Sequence, residues 1–224
     1  MRPNLRRRVR QLCLGTCQRV EACEIHGLMN FPLQFRFKIF ALSPQIFVED
    51  AAGASVCYVK QKLFRLKEKV ELYKDPSQAQ LVSTIEADRI IDWSAKYTFR
   101  DPQGRELGAV GRRGMKSIWS AHYEVFAPGG GGPVFTIREE NPMAKVLDAF
   151  LGQLPIIGLF TGYFIHPRYL ASRADGTPVM RLSKRASLIE RRFYLEQVGA
   201  ADEGEQGAIV MAFLMMNLLE RARG

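Results

Sequence analysis

The stretch Ala208-Ile-Val-Met-Ala-Phe-Leu-Met-Met-Asn-Leu-Leu219 decides the fold, because Asn217 is its only polar residue. A helix that is apolar on every side has to be buried all round or inserted in lipid. Twelve residues rise about 18 Å, well short of the roughly 30 Å hydrocarbon core of a bilayer. Asp202, with Glu205 three residues later, has the spacing of a helix start, and Arg221 and Arg223 suit the negative end of the helix dipole. The predicted helix spans about 203–222. It needs an enclosure, and the residues before it read as the strands of one.

From Met29 onward the apolar period is two. Leu33, Phe35, Phe37, Ile39 and Ala41 alternate with Gln34, Arg36 and Lys38, the pattern of a half-buried strand. Ile46–Glu49, the turn Asp50–Gly53 and Ser55–Lys60 make a hairpin. A densely basic run, Lys60–Val70, leads into Val70–Tyr73, and Asp75-Pro76 turns the chain into Gln80–Ile85. Ile90–Trp93 and Lys96–Arg100 follow, then the tight turn Asp101-Pro-Gln-Gly104 and the returning strand Arg105–Arg112. Ser117–Phe126 puts Ile118, Ser120, His122 and Glu124 on one face. Gly129–Gly132 is a hairpin loop before Val134–Glu139. Asn141-Pro142 opens a short helical stretch, about Met143–Leu151. Tyr163–His166, Tyr169–Arg173, Val179–Leu182 and Leu188–Gln197 complete about twelve strands, mostly antiparallel. The class is mainly β, a sheet wrapped around the closing helix.

Val146–Ile165 is long and apolar enough to suggest a membrane span, but Asp148, Gln153, Pro155 and three glycines interrupt it. A charge inside a span costs about 2.5–3.5 kcal/mol, and the proline breaks the helix. Two short helices packed on the barrel fit better, with a membrane-touching surface loop as the alternative.

At 224 residues and 47% hydrophobic content the chain can form one large domain with its own core. The formal charge of +9 hints at nucleic acid or an anionic membrane. Residues 1–28, however, hold six of the arginines against only Glu21 and Glu24, so the remainder is moderately basic and names no partner. This leader lacks a secretory apolar region and is not Ser-rich as a mitochondrial leader would be. Met29 stands immediately before the first strand, so 1–28 reads as a start-site artefact or a disordered basic arm, and the domain as 29–224. Cys13, Cys17 and Cys23 fall in the leader, at a spacing that fits no common zinc pattern. Cys57 is alone in the body, so an intradomain disulfide is excluded and a reducing, cytoplasmic setting fits.

No catalytic constellation emerges, and the reading is of a protein that is not an enzyme and needs no cofactor or metal. His122 lies within a strand with no nucleophile or orienting acid beside it, and His166-Pro167 marks a strand end. Gly129–Gly132 lacks the Lys-Ser/Thr of a phosphate loop. Gly108-x-x-Gly111-x-x-Gly114 is explained by bulges or close backbone approach. The remaining signal is basic clusters: residues 60–69, then Arg112, Arg113 and Lys116, then Lys184, Arg185, Arg191 and Arg192. The aromatic residues do not interleave with them along the chain, which speaks against single-stranded nucleic acid. Trp93 and Trp119 read as core or rim packing.

Several segments occur in an ordered set that resembles one known family. They are Tyr58-Val-Lys-Gln-Lys-Leu-Phe64, the Asp-x-x-Gly turns, Ile91-Asp-Trp93, Lys116-Ser-Ile-Trp119 and the closing apolar helix. The set resembles the LURP-one-related proteins, within the tubby C-terminal-like group that also contains the phospholipid scramblases. The resemblance runs from about Phe31 to Glu220. It implies a closed barrel of about twelve strands around a central C-terminal helix. It also implies binding of an anionic phospholipid headgroup through clustered basic side chains, the candidates being Lys60, Lys62, Arg65, Lys67, Lys69, Arg112, Arg113 and Lys116. Alternation places Lys60 and Lys62 on one face and Arg65, Lys67 and Lys69 on the other. The chain shows no Asp-rich loop with EF-hand-like spacing, and its apolar C-terminal segment is needed as core, two departures from the scramblases. The expected partners are an anionic phospholipid or a protein, with peripheral contact at the inner membrane face and no nucleic acid. A protein-interaction scaffold, with an apolar patch around Pro155–Phe160, and a scramblase-like activity are the alternatives.

Overall fold

The protein is described by a computed structural model, covering residues 29–38, 45–60, 69–88, 95–113, 122–140, 168–185, 187 and 190–221. Twelve strands and one helix make up the described fold. The strands are β1 (Leu33–Lys38), β2 (Gln45–Glu49), β3 (Ser55–Lys60), β4 (Lys69–Tyr73), β5 (Leu81–Ala87) and β6 (Lys96–Arg100), followed by β7 (Glu106–Arg112), β8 (His122–Phe126), β9 (Pro133–Glu139), β10 (Arg168–Arg173), β11 (Pro178–Arg185) and β12 (Glu190–Gln197). Each pairs antiparallel with its sequence neighbour, and β1 pairs with β12 to close the barrel. Among the described strands, closure gives each one two paired neighbours. The expected twelve-stranded closed barrel is therefore the observed one. The readings at Ile90–Trp93, Met143–Leu151 and Tyr163–His166, the 146–165 segment and residues 1–28 lie outside the described residues.

Alternation decides which side chains fill the interior. Leu33, Phe35 and Phe37 of β1 are buried, and the same set faces inward on β2 with Ile46 and Val48 and on β4 with Val70 and Leu72. Through this lumen runs α1 (Glu203–Arg221), in which Ile209–Met216 and Leu218 are all buried. The helix that the sequence demanded be enclosed is enclosed. Its one polar residue within the apolar run, Asn217, is 8% exposed, and its amide donates to the Phe213 carbonyl one turn back at 2.8 Å. That bond spares it the cost of burying an unmade donor.

The helix is fixed at both ends. Asp202 Oδ1 accepts the Glu205 backbone N–H at 2.9 Å, and Glu205 Oε2 accepts the Asp202 N–H at 3.1 Å, a reciprocal capping box. Glu205 is also ion-paired to Arg173 of β10, tying the cap to the wall. At the far end Tyr123 of β8 donates to Glu220 at 2.8 Å. Gly108 of β7 has φ +140°, and a Cβ there would stand 2.8 Å from the Phe126 carbonyl and 3.8 Å from the Ala208 Cβ. Glycine at that position lets β7 meet β8 and the helix together, the close approach read from its spacing.

Candidate functional site

The strands alternate direction, so the connections sort into two groups. The turns 50–54, 101–105 and 174–177 lie at the end where α1 enters, while Lys38, Lys60, Lys69, Arg112, Arg168 and Arg185 lie at strand termini at the other. Of the predicted basic residues, Lys60 is the exposed last residue of β3, and Lys69 opens β4 with its ammonium 3.3 Å from Glu86. Lys62, Arg65, Lys67 and Lys116 lie outside the described residues. Arg112 occupies the same inward-facing register as Tyr123, whereas Arg113 turns outward to Glu124 at 3.1 Å. β7 is three strands from β4, about 14 Å around the wall at a spacing near 4.8 Å. The residues of the predicted set that can be placed therefore do not form one patch.

Another face does gather cations, and only the strand register reveals it. Across β3, β2, β1, β12 and β11 the outward residues form the row Tyr58–Phe47–Arg36–Arg192–Arg185, and the next row reads Lys60–Gln45–Lys38–Glu190. Aromatic rings underlie the charges. Arg36 lies 5.3 Å and Lys38 4.9 Å from the centre of Phe47, whose ring packs on Tyr58 at 5.0 Å. Arg185 lies 5.3 Å from the centre of Tyr194. The reading that aromatics and basics do not interleave holds along the chain and is corrected across it, because cross-strand neighbours are distant in sequence.

Charge on this face is only partly compensated. Arg36 makes a bidentate bond to Glu49, with Nε at 3.1 Å, which raises its pKa above the ordinary arginine value. Glu190 is shared between Arg192 at 3.3 Å and Arg36 at 3.9 Å. Lys184 and Arg191 take inward-facing register positions at the rim, opposite Phe193 and Phe37. Burial, reinforced by the Arg191 charge, pulls the Lys184 ammonium below the ordinary lysine range. Like charges held this close favour an anion among them. Sequence reading had marked Lys184, Arg185, Arg191 and Arg192 as a basic cluster. It had no means of joining them to Arg36 and Lys38, because that juxtaposition exists only once β1 and β12 pair.

Other residues singled out in the sequence have structural roles. Cys57 is buried on the inner face of β3, where burial pushes its thiol up to about 12, beyond reach as a nucleophile at neutral pH. His122 is an outward strand residue, and burial together with Arg138 lowers its pKa. Among the described residues no group of three acidic, histidine or cysteine side chains is placed to hold a metal ion. Within the same residues no helix is long and apolar enough to cross a membrane.

Comparison with known proteins gives two matches. The sequence profile described as LURP-one-related matches residues 55–215, from β3 into the buried helix. An X-ray structure of a protein from Arabidopsis thaliana superposes over 90% of this chain and 98% of its own, at 12% sequence identity and a TM-score of 0.48. No curated protein sequence matches the chain.

Proposed function

Because the chain belongs to the LURP-one-related family, we propose that this barrel acts by binding rather than by chemistry, and that its exterior across β11, β12, β1, β2 and β3 captures anionic phospholipid headgroups. The observation that carries the reading is the register row Arg36–Arg192–Arg185 with Lys38 and Lys60 beside it, set on Phe47, Tyr58 and Tyr194. Five cations against the carboxylates of Glu49 and Glu190 leave this exterior net positive, a surface that a negatively charged membrane attracts at long range. The rings beneath Arg36, Lys38 and Arg185 hold those cationic stems in place, so less side-chain freedom is lost when a headgroup binds. The cytoplasmic leaflet, rich in anionic lipid, is the matching surface.

The alternatives draw less support. A protein scaffold calls for an exposed apolar patch, yet among the described residues the exposed large hydrophobics are Val134 and Val198, at 38% and 40%. The segment Pro155–Phe160 lies outside the described residues. A scramblase-like activity would need α1 to leave a lumen in which its apolar residues are buried.

Sedimentation with vesicles tests the proposal. The protein should pellet with phosphatidylcholine vesicles carrying phosphatidylserine or a phosphoinositide at low ionic strength, and not with phosphatidylcholine alone. Each cation near the surface is worth about 1 kcal/mol, so replacing Lys38, Arg185 and Arg192 together by Gln should weaken binding roughly a hundredfold. Absence of binding at low salt, where attraction is strongest, would overturn the proposal. So would a triple variant that binds as well as the parent.

A further inference from the structure

Glu190 of β12 bridges two arginines that stand directly across from each other on the basic face. They are Arg36 of β1 and Arg192, two residues further along β12. Like charges in register repel, so two opposed guanidiniums favour an anion between them. Arg36 already gives Nε and Nη2 to Glu49, which leaves Nη1, and that nitrogen faces Glu190 Oε1 at 3.9 Å. Arg192 turns both Nε and Nη2 toward the single oxygen Oε2, each at 3.3 Å. The carboxylate therefore occupies a position marked out by three guanidinium nitrogens from two strands.

Its fit there is poor. A good bond between a guanidinium and a carboxylate is about 2.7–2.9 Å long, shorter than any of these contacts. A carboxylate has two oxygens for the three nitrogens, and Glu190 spreads one of them across the Arg192 fork. A phosphate monoester has three terminal oxygens, so two can lie along that fork and the third on Arg36 Nη1. It also carries a charge of about −1.5 to −2 at neutral pH, against the single charge of the carboxylate. Ion pairs at a partly exposed surface contribute little net stability, so Glu190 is free to turn out to solvent. Lys38, the cross-strand partner of Glu190 with its ammonium over Phe47, would then flank the bound anion. We infer that Glu190 holds closed a phosphomonoester subsite between Arg36 and Arg192. The inference rests on the reading of this face as an anion-binding surface, and it makes Glu190 an internal competitor that a phosphate displaces.

Titration of the full chain with inorganic phosphate at constant ionic strength tests that role. Glu190→Gln should bind phosphate at least about tenfold more tightly than the parent, and the side-chain Nε resonances of Arg36 and Arg192 should shift. Glu196→Gln removes the same charge from the same strand but lies opposite Arg181, so it should bind phosphate like the parent. Acetate, with two oxygens, should bind the Glu190→Gln protein about tenfold more weakly than phosphate does. Equal gains in the two variants, acetate binding as tight as phosphate, or no phosphate-induced shift at Arg36 and Arg192 would each overturn the subsite.

A phosphomonoester can come from a lipid headgroup or from a free compound, and vesicles separate the two. If phosphatidic acid vesicles pellet the Glu190→Gln protein better than phosphatidylserine vesicles of equal surface charge, the source is lipid. Phosphate binding at Arg36 and Arg192 without pelleting would uphold the subsite for a free phosphorylated compound and overturn the membrane reading. Pelleting without any response to phosphate would do the reverse.

Discussion

At the end of the barrel where the helix enters, Asp50, Asp75, Asp101, Asp175 and Asp202 each accept a backbone N–H close by, at 2.8–2.9 Å. At the opposite end Lys38, Lys60, Arg168, Lys184, Arg185 and Arg191 gather from β10 round to β3, with Glu190 as the neighbouring carboxylate. The first arrangement is charge spent on holding turns and the helix cap. The second leaves charge unmatched, and Lys184 is pushed below its ordinary range, by burial first and by the neighbouring Arg191 charge second. Unmatched charge costs stability without adding structure, so on the proposed reading the two ends separate what folds the barrel from what binds.

The helix that joins the ends offers the hardest break. Phe213 is fully buried in the lumen, and Phe213→Asp would place a carboxylate there with no partner. The penalty of several kcal/mol is comparable to the roughly 5–15 kcal/mol that holds a domain of this kind together. The variant should be unfolded or insoluble. A soluble protein with native circular dichroism would show that the helix does not plug the barrel.

Acid should unfold the two ends unequally. Bonds from Ala54, Ser77 and Thr177 hold the carboxyls of Asp50, Asp75 and Asp175 below their ordinary value of 3.8. For Asp101, desolvation pushes upward, yet the hydrogen bonds and charge of Arg105 outweigh it and the pKa falls. A carboxyl whose folded pKa is depressed contributes its full stability above the unfolded value and loses it as pH drops through the folded one. Urea midpoints should therefore be level near neutrality and fall below about pH 4. Hydrogen exchange should rise first at the turns 50–54 and 101–105. A midpoint that stays constant down to pH 2 would break the assignment of these aspartates as turn clamps.

The legibility of the two ends in the sequence differed for the same physical reason. Asp202 and Glu205 are three residues apart, and Asp50–Gly53 and Asp101–Gly104 are complete turns, so local spacing was enough to locate them. The buried helix was legible because one polar residue in twelve leaves a helix no wet side. The basic face was not, since Arg36, Phe47, Tyr58, Arg185 and Arg192 meet only through register across five strands. A basic run such as 60–69 looks like a site on paper. On the barrel its described ends, Lys60 and Lys69, belong to different strands, and Lys69 is already paired with Glu86.

The smallest effect is the most discriminating. Lys184 is depressed by burial first and by Arg191 second. Its charged form is therefore less favourable in the folded protein than in the unfolded chain, the inverse of a paired lysine. Arg191→Gln removes the second cause, so the Lys184 pKa should climb back toward its ordinary value. Stability should rise slightly, by no more than a few tenths of a kcal/mol given solvent screening at this rim. Replacing a residue at the aspartate end should never stabilise in this way, because each of those charges already has its partner. An NMR titration of the Lys184 side chain, read beside the urea midpoint, checks both quantities in one variant. If Arg191→Gln lowers stability instead, the cations at this end hold the fold as the aspartates do, and the division between a folding end and a binding end fails.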